Sequence, residues 1–386
     1  MKDHLATRLQ GLGTTIFAEM SALAARTHAV NLGQGFPDTD GPVEVIEAAV
    51  QALRGGRNQY APGPGVPELR QAIADHQRRF YGLDVDAETE VLVTTGATEA
   101  IAAALLGLVD PGDEVIALEP YYDSYVAGIA MAGGVRRPVT LRAPDFRLDL
   151  DELRDAVTPR TRLLLINTPH NPTGTVLTDD ELRGIAELAA ERDLLVVTDE
   201  VYEHLTFDGI AHRPLATYPG MAERTLTVSS GGKTFSFTGW KVGWAVGPAP
   251  LVRAVMLTKQ FLTFTSGAPL QPAIAHALGF DDAFYRDLST SLQAKRDRLS
   301  AGLREVGFEV FKPHGTYFVS TDIRPLGYDD GVAFCLDLPS RCGVVAIPHE
   351  VFYDDKAAGR TLVRWAFCKR DEVLDEAVER LRHGLA

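Results

Sequence analysis

The chain is short of the residues that staple, metallate or anchor a fold. Only three cysteines, Cys335, Cys342 and Cys368, occur in 386 residues, too few and too scattered for a disulfide framework or a zinc knuckle. They read as small buried hydrophobes. There is no CxxC pair and no close histidine pair, so no metal is expected. Long apolar runs are missing too. The longest helical run, Ile101 to Val109, is interrupted by Gly107 and is far too short to span a bilayer. Positive charge is scarce: 38 Lys and Arg face 52 Asp and Glu, a net charge of −14. That balance opposes nucleic acid and anionic membrane as partners. Acidic small substrates would need a few local cations against this field. No apolar h-region follows Met1-Lys2-Asp3-His4, so no signal peptide is expected, and a reducing cytoplasm fits.

What is present is ordinary globular material, 45% apolar and 23% charged, enough for two domains with a sizeable core. Strand-like and helix-like segments alternate, the mark of an α/β fold. Val91–Thr95, Glu114–Leu118, Arg162–Asn167, Leu194–Thr198, Thr225–Ser229 and Gly243–Val246 read as strands, several apolar throughout as if buried on both faces. Ala97–Leu108 and Asp179–Arg192 read as helices between them. Residues 285–305 form a long amphipathic pattern. Short strand signals over 308–319, 344–347 and 362–367 follow, then a closing helix over 372–385. The expected organisation is an N-terminal arm (1–40), a large α/β domain (41–280) and a smaller α+β domain (281–386) that the arm joins.

Several motifs fail on inspection. Gly232-Lys233-Thr234 ends like a P-loop, but the glycine required six residues before the lysine is Thr227. Gly63-Pro64-Gly65 and Gly33-Gln34-Gly35 lack the third glycine of a dinucleotide fingerprint, and neither is expected to follow a strand. No G-x-S-x-G elbow occurs. NTPase, dehydrogenase and serine hydrolase readings lose their support.

Polar clusters instead follow the apolar runs: Gly96-Ala97-Thr98, Asn167 to Gly174, Asp199 to Tyr202 and Ser230 to Lys233. Ligands in open α/β sheets bind beyond the carboxyl ends of the strands, so four such clusters suit one shared site. A lysine after a strand is usually solvated, but Lys233 sits among Gly, Ser and aromatics. Burial there would lower its pKa and suit Schiff-base chemistry with a carbonyl. Asp199 reads either as a helix cap or as a fixed anion facing a ligand cation such as a protonated pyridine. The turn Asn167-Thr168-Pro169-His170-Asn171-Pro172-Thr173-Gly174 is rigid and carries preorganised donors. Gly96-Ala97-Thr98 opens a helix whose N–H groups suit phosphate.

Together, Asn171-Pro172-x-Gly174, Asp199-x-x-Tyr202 and Ser230-x-x-Lys233 with Lys241 eight positions on resemble the fold-type I, pyridoxal-phosphate-dependent aminotransferases. Asn31 to Asp38, Asn58-Gln59-Tyr60 and Thr238-Gly239-Trp240-Lys241-x-Gly243-Trp244 resemble the kynurenine, glutamine and methionine subgroup, which includes actinobacterial N-succinyldiaminopimelate aminotransferases. Thr15 to Met20 and Gln59 to Gly65 look most like that last type. The resemblance implies a mostly parallel, seven-stranded-type sheet flanked by helices, with a smaller α+β domain. It implies pyridoxal phosphate as cofactor, an amino acid and a 2-oxo acid such as 2-oxoglutarate as substrates, and a homodimer with shared sites.

Residue by residue, it implies that Lys233 carries the cofactor and moves the α-proton. Asp199 pairs with the ring nitrogen, and Tyr202 and Asn171 bond the ring's phenolic oxygen. Tyr122 stacks on the ring. Ala97, Thr98, Ser230 and Lys241 hold the phosphate, and Tyr60 reaches the phosphate of the neighbouring subunit. Arg364 grips the substrate α-carboxylate, with Gly35 as a backbone contact and Phe17 over the pocket. Lys241 stands where aspartate-type relatives carry arginine, and Phe17 where some kynurenine-preferring relatives carry tryptophan. A kynurenine, glutamine or methionine aminotransferase and a β-eliminating C–S lyase are the alternatives on the same fold. His170, Trp240 and Trp365 read as structural.

Overall fold

Seven segments pair into one central sheet in the computed structural model, which describes residues 4–10, 13 and 15–385. Residues 1–3, 11, 12 and 14 of the expected arm lie outside the described residues. The strands are β1 (Val91–Thr95), β2 (Glu114–Glu119), β3 (Val135–Thr140), β4 (Thr161–Asn167), β5 (Leu195–Asp199), β6 (Thr225–Ser230) and β7 (Val242–Val246). Their spatial order is β1-β7-β6-β5-β4-β2-β3. All neighbours run parallel except β7, which is antiparallel to β1 and β6. The alternation of side chains along a strand splits the core into two layers. Leu163 and Leu165 of β4 join Val197, Val228 and Ala245 in one hydrophobic cluster. Leu164 and Ile166 of the same strand join Val196, Leu182 and Ile185 in another. Helix α1 (Gly96–Leu108) covers the first layer with Ala100, Ala103, Ala104 and Leu105, all fully buried.

A second sheet is antiparallel throughout, with Ile347–Pro348, Leu362–Ala366, Phe318–Asp322 and Glu309–Phe311 in that order. Its core contains Val319, Trp365, Leu374 and Leu381, together with Met20 and Ala24 of the N-terminal helix Ile16–Thr27. The 25-residue helix Asp282–Val306 ties the halves together. Its Tyr285 packs in the large-sheet core, while Leu299 and Leu303 pack in the small one. No helix among the described residues is long and apolar enough to cross a membrane.

Two sequence expectations need correction. Strand β3, Val135-Arg136-Arg137-Pro138-Val139-Thr140, was not expected. Two arginines and a proline hide it, and it can hold them because it is the edge of the sheet. Gly33 does follow a short strand, Val30–Asn31, paired in parallel with Val344–Val345. No helix begins directly at Gly33-Gln34-Gly35, the next one starting only at Val43, so the dinucleotide reading fails all the same.

Candidate active site

The ends of β4, β5 and β6 and the start of α1 converge on one cavity of about 960 Å³. Every site residue expected from sequence lines it except Tyr60. Tyr60 is 83% exposed on the surface and meets Phe264 edge-on.

At the floor lies Asp199, the last residue of β5 and almost fully buried. One carboxylate oxygen accepts the Tyr125 hydroxyl at 2.6 Å, and the other accepts the Val201 N–H at 3.3 Å. Burial pushes its pKa up, opposed by the Tyr125 bond, the Val201 N–H and the nearby Lys233 ammonium. A buried carboxylate held in this way is stabilised by a cationic partner. Lys233 follows β6 in a single helical turn, Gly231–Thr234. It is half-buried, and its amine lies 5.7 Å from the ring centres of both Tyr202 and Tyr317. Burial lowers its pKa to about 8, with Cys368 and Asp199 pulling up and Lys241 and Arg364 pushing down. Such an amine is neutral in a useful fraction near neutral pH. The Tyr202 hydroxyl is hydrogen-bonded to Tyr317, which donates in turn to the Gly35 carbonyl.

Close backbone contacts shape the anion end. Gly96 opens α1 at φ +71°, and a Cβ there would lie 3.0 Å from Lys241 Cε and Nζ. A Cβ at Gly243 would meet the Gly96 carbonyl carbon at 2.4 Å and the Ala97 nitrogen at 2.6 Å. Both positions therefore need glycine for the strand, the helix start and Lys241 to meet. The free N–H groups at the start of α1, with Ser230 and Lys241 beside them, make an anion site.

At the outer end Arg364 is 1% exposed. One terminal nitrogen donates to Asn171 Oδ1 at 2.9 Å and the other to the Gly33 carbonyl at 2.8 Å. Its Nε is buried with no partner. Its guanidinium lies 4.0 Å from the Phe318 ring centre, 5.1 Å from Phe17 and 5.3 Å from Phe352. This desolvation lowers its pKa to about 10, which still leaves it charged. Gly35 must be glycine here, because a Cβ would come within 2.4 Å of Phe318 Cζ.

Sequence reasoning missed Tyr125, Phe318, Phe352 and Asp123, and it placed Cys368 in the core without linking it to the site. Tyr125 had one local signal, being three residues beyond Tyr122 in helix Asp123–Ala132. The others come from tertiary packing alone. Asp123, half-buried beside the cavity, has its pKa raised by burial, with its own and Ser124's N–H groups and Arg364 opposing. Cys368 is buried, and its thiol is pushed up to about 11. His170 is also buried, bonded to Thr173, and held near pKa 4 by desolvation, as a structural histidine would be.

The donor set matches pyridoxal phosphate group by group. It offers an amine of lowered pKa for the carbonyl, a buried anion for a ring cation, and an anion cup at a helix start. A buried guanidinium with an orphaned nitrogen waits for a carboxylate. The profile of the family described as aminotransferase class I and II matches residues 27–381. A probable N-succinyldiaminopimelate aminotransferase, DapC, of Mycobacterium tuberculosis strain H37Rv is 58% identical over 387 residues, 97% of each chain. The methionine aminotransferase of Escherichia coli K12 is 43% identical, again over 97% of each chain. The solved structure of the M. tuberculosis N-succinyldiaminopimelate aminotransferase superposes with a TM-score of 0.97, covering 99% of this chain and 100% of that one.

Proposed function

The chain belongs to the class I and II aminotransferases, and from that premise we propose that it moves the amino group of N-succinyl-LL-2,6-diaminopimelate to 2-oxoglutarate, a step of lysine biosynthesis. The 58% identity across the whole chain to the M. tuberculosis relative is the observation that carries the choice of substrate. The working form is a cytoplasmic homodimer, with an arm over 1–40, a cofactor domain over 41–280 and a small domain over 281–386.

Pyridoxal phosphate, when bound, supplies the carbonyl that takes up the amino group and a ring that withdraws electron density from the substrate Cα. Ala97, Thr98, Ser230 and Lys241 would hold its phosphate, with Tyr60 of a second copy. Tyr122 would lie against the ring. Asp199 would fix a proton on the ring nitrogen, because its desolvated carboxylate gains a counter-charge there. Tyr202 and Asn171 would direct hydrogen bonds to the ring oxygen. Arg364 orients the substrate by its α-carboxylate in a two-pronged grip, with the Gly35 backbone alongside and Phe17 covering the opening. Lys233 Nζ is the mobile base. With its pKa near 8, it would take the proton from the substrate Cα and release it again within the same site. The aromatic rings around Arg364 exclude water, which strengthens that grip.

One observation favours a second reading. Among the described residues, the cations lining the cavity are Lys233, Lys241 and Arg364, all already assigned, while Glu19 and Asp123 add negative charge. A donor with an apolar side chain, such as methionine or kynurenine, fits those walls without further cations, and the 43% identical E. coli relative is a methionine aminotransferase. The deciding experiment compares kcat/KM for succinyldiaminopimelate against methionine, kynurenine and glutamine. The proposed substrate should lead by about tenfold or more, roughly 1.4 kcal/mol of transition-state binding. A smaller lead leaves succinyldiaminopimelate unsupported as the substrate and the aminotransferase reading intact.

A further inference from the structure

Two buried polar side chains outside the active site join the same two surface loops. Lys259, 1% exposed at the end of helix Ala249–Lys259, donates to the Gly63 carbonyl at 2.9 Å and to the Phe264 carbonyl at 3.1 Å. Gln271, also 1% exposed, accepts the Val66 N–H at 2.8 Å and donates to the Ser266 carbonyl at 2.6 Å. Each side chain thus makes one bond to the loop around Tyr60–Val66 and one to the loop over 261–266. Burying a lysine with only carbonyl acceptors is costly, and a loop that merely connected two helices would not need it. The Phe264 carbonyl that Lys259 holds belongs to a bulky residue at φ +67°, a backbone setting that needs outside support.

The pair of loops carries an exposed apolar edge. Tyr60 is 83% exposed, Phe261 85%, Phe264 54% and Leu262 50%. The inner side connects to the anion cup. Thr263 donates to Glu99, and Glu99 also accepts the Thr95 N–H at 2.5 Å, in the first turn of α1. Lys259 is drawn electrostatically to the same Glu99.

We propose that Lys259 and Gln271 are positioning residues that lock the two loops into one platform. The platform fixes Tyr60 against a second copy of this chain and ties that contact, through Thr263 and Glu99, to the start of α1. It rests on the reading that Tyr60 completes the partner's phosphate site. Under it, the strength of subunit pairing and the strength of cofactor holding are coupled through residues that touch neither cofactor nor substrate.

The test uses Lys259→Met and Gln271→Leu, which keep size and remove the bonds. Leu299→Ala serves as a control, because Leu299 is fully buried in the small-sheet core, away from the loops. Sedimentation gives the monomer–dimer constant without cofactor, and pyridoxal phosphate titration gives cofactor affinity. Both variants should weaken pairing and cofactor holding roughly tenfold or more, the scale of one lost hydrogen bond to a charged or buried group. Their kcat at saturating cofactor should stay within about threefold of wild type, since the reacting groups are intact. The control should lower Tm without moving either equilibrium. Variants that lower Tm like the control but leave both equilibria unchanged overturn the lock. So does a dimer whose Tyr60→Ala form holds cofactor poorly while Lys259→Met and Gln271→Leu hold it well. A wild-type monomer removes the reading of Tyr60 itself, and the lock with it.

Discussion

Replacing Tyr125 by Phe removes one oxygen from the floor of the site and little else. The hydroxyl donates to Asp199 Oδ2 at 2.6 Å, and Tyr125 and Asp199 are 3% and 6% exposed. The Val201 N–H on the other oxygen is longer, at 3.3 Å, and stays in place. A hydrogen bond to a charged, dry acceptor contributes roughly 1.5–3 kcal/mol. Without it the Asp199 carboxyl, already pushed up by burial, rises further, and its anion is less able to hold a proton on the cofactor ring. If the whole loss reaches the transition state, kcat falls by roughly 10- to 150-fold, at about 1.36 kcal/mol per tenfold. Donor KM should change little, because Arg364, Asn171 and Gly35 are untouched. The assay is the single-turnover reaction with glutamate at saturating cofactor, with Tm measured alongside. A kcat within about twofold of wild type, in a folded variant, would refute the claim that Asp199 works through its charge.

Further predictions concern single residues around this floor. Between about pH 8 and the usual lysine value of 10.5, the unfolded chain keeps a proton on Lys233 that the folded, cofactor-free protein has lost. Stability from this group therefore rises with pH across that window. Cofactor-free Lys233→Met should be more stable than wild type below pH 8 by thermal melting, and the advantage should shrink towards pH 10.5; a constant difference contradicts the lowered pKa. Gly35→Ala places a methyl 2.4 Å from Phe318 Cζ, beside Arg364. Donor KM should then rise by roughly tenfold, since forced overpacking costs about 1–3 kcal/mol, and an unchanged KM would show that the wall yields freely. Co-expressed Tyr60→Ala and Lys233→Ala chains should recover partial activity in mixed dimers with one intact site, whereas no recovery argues against a shared site.

The parts of the site that were legible in the sequence are those written locally. Apolar runs such as Leu163–Ile166 and Val196–Val197 had to be strands buried on both faces, and the polar residues at their ends had to share a site. Gly96 and Gly243 were legible as glycines, but the close approach that requires them appears only when Lys241 and α1 are brought together. Strand β3 escaped because an edge strand tolerates the two arginines and the proline that blur its pattern. Phe318 and Phe352 escaped because they reach the cavity from the second sheet and its loops, far along the chain from Lys233, and Cys368 because it meets Lys233 only electrostatically, through the fold. Tyr125 escaped because its role depends on a partner 74 positions away. The substrate side chain is the least legible element, since the described residues leave no spare cation in the cavity to name it.

The central claim is that Lys233 is the residue that carries the cofactor and moves the proton. Borohydride reduction of the pyridoxal-phosphate-loaded protein, followed by peptide mapping, tests this most directly. The account predicts a single pyridoxyl label on the peptide containing Ser230 to Lys233, lost in Lys233→Ala, which should keep some cofactor binding through Ala97, Thr98, Ser230 and Lys241. A label on Lys241, Lys259 or any other lysine of the wild-type protein would contradict it.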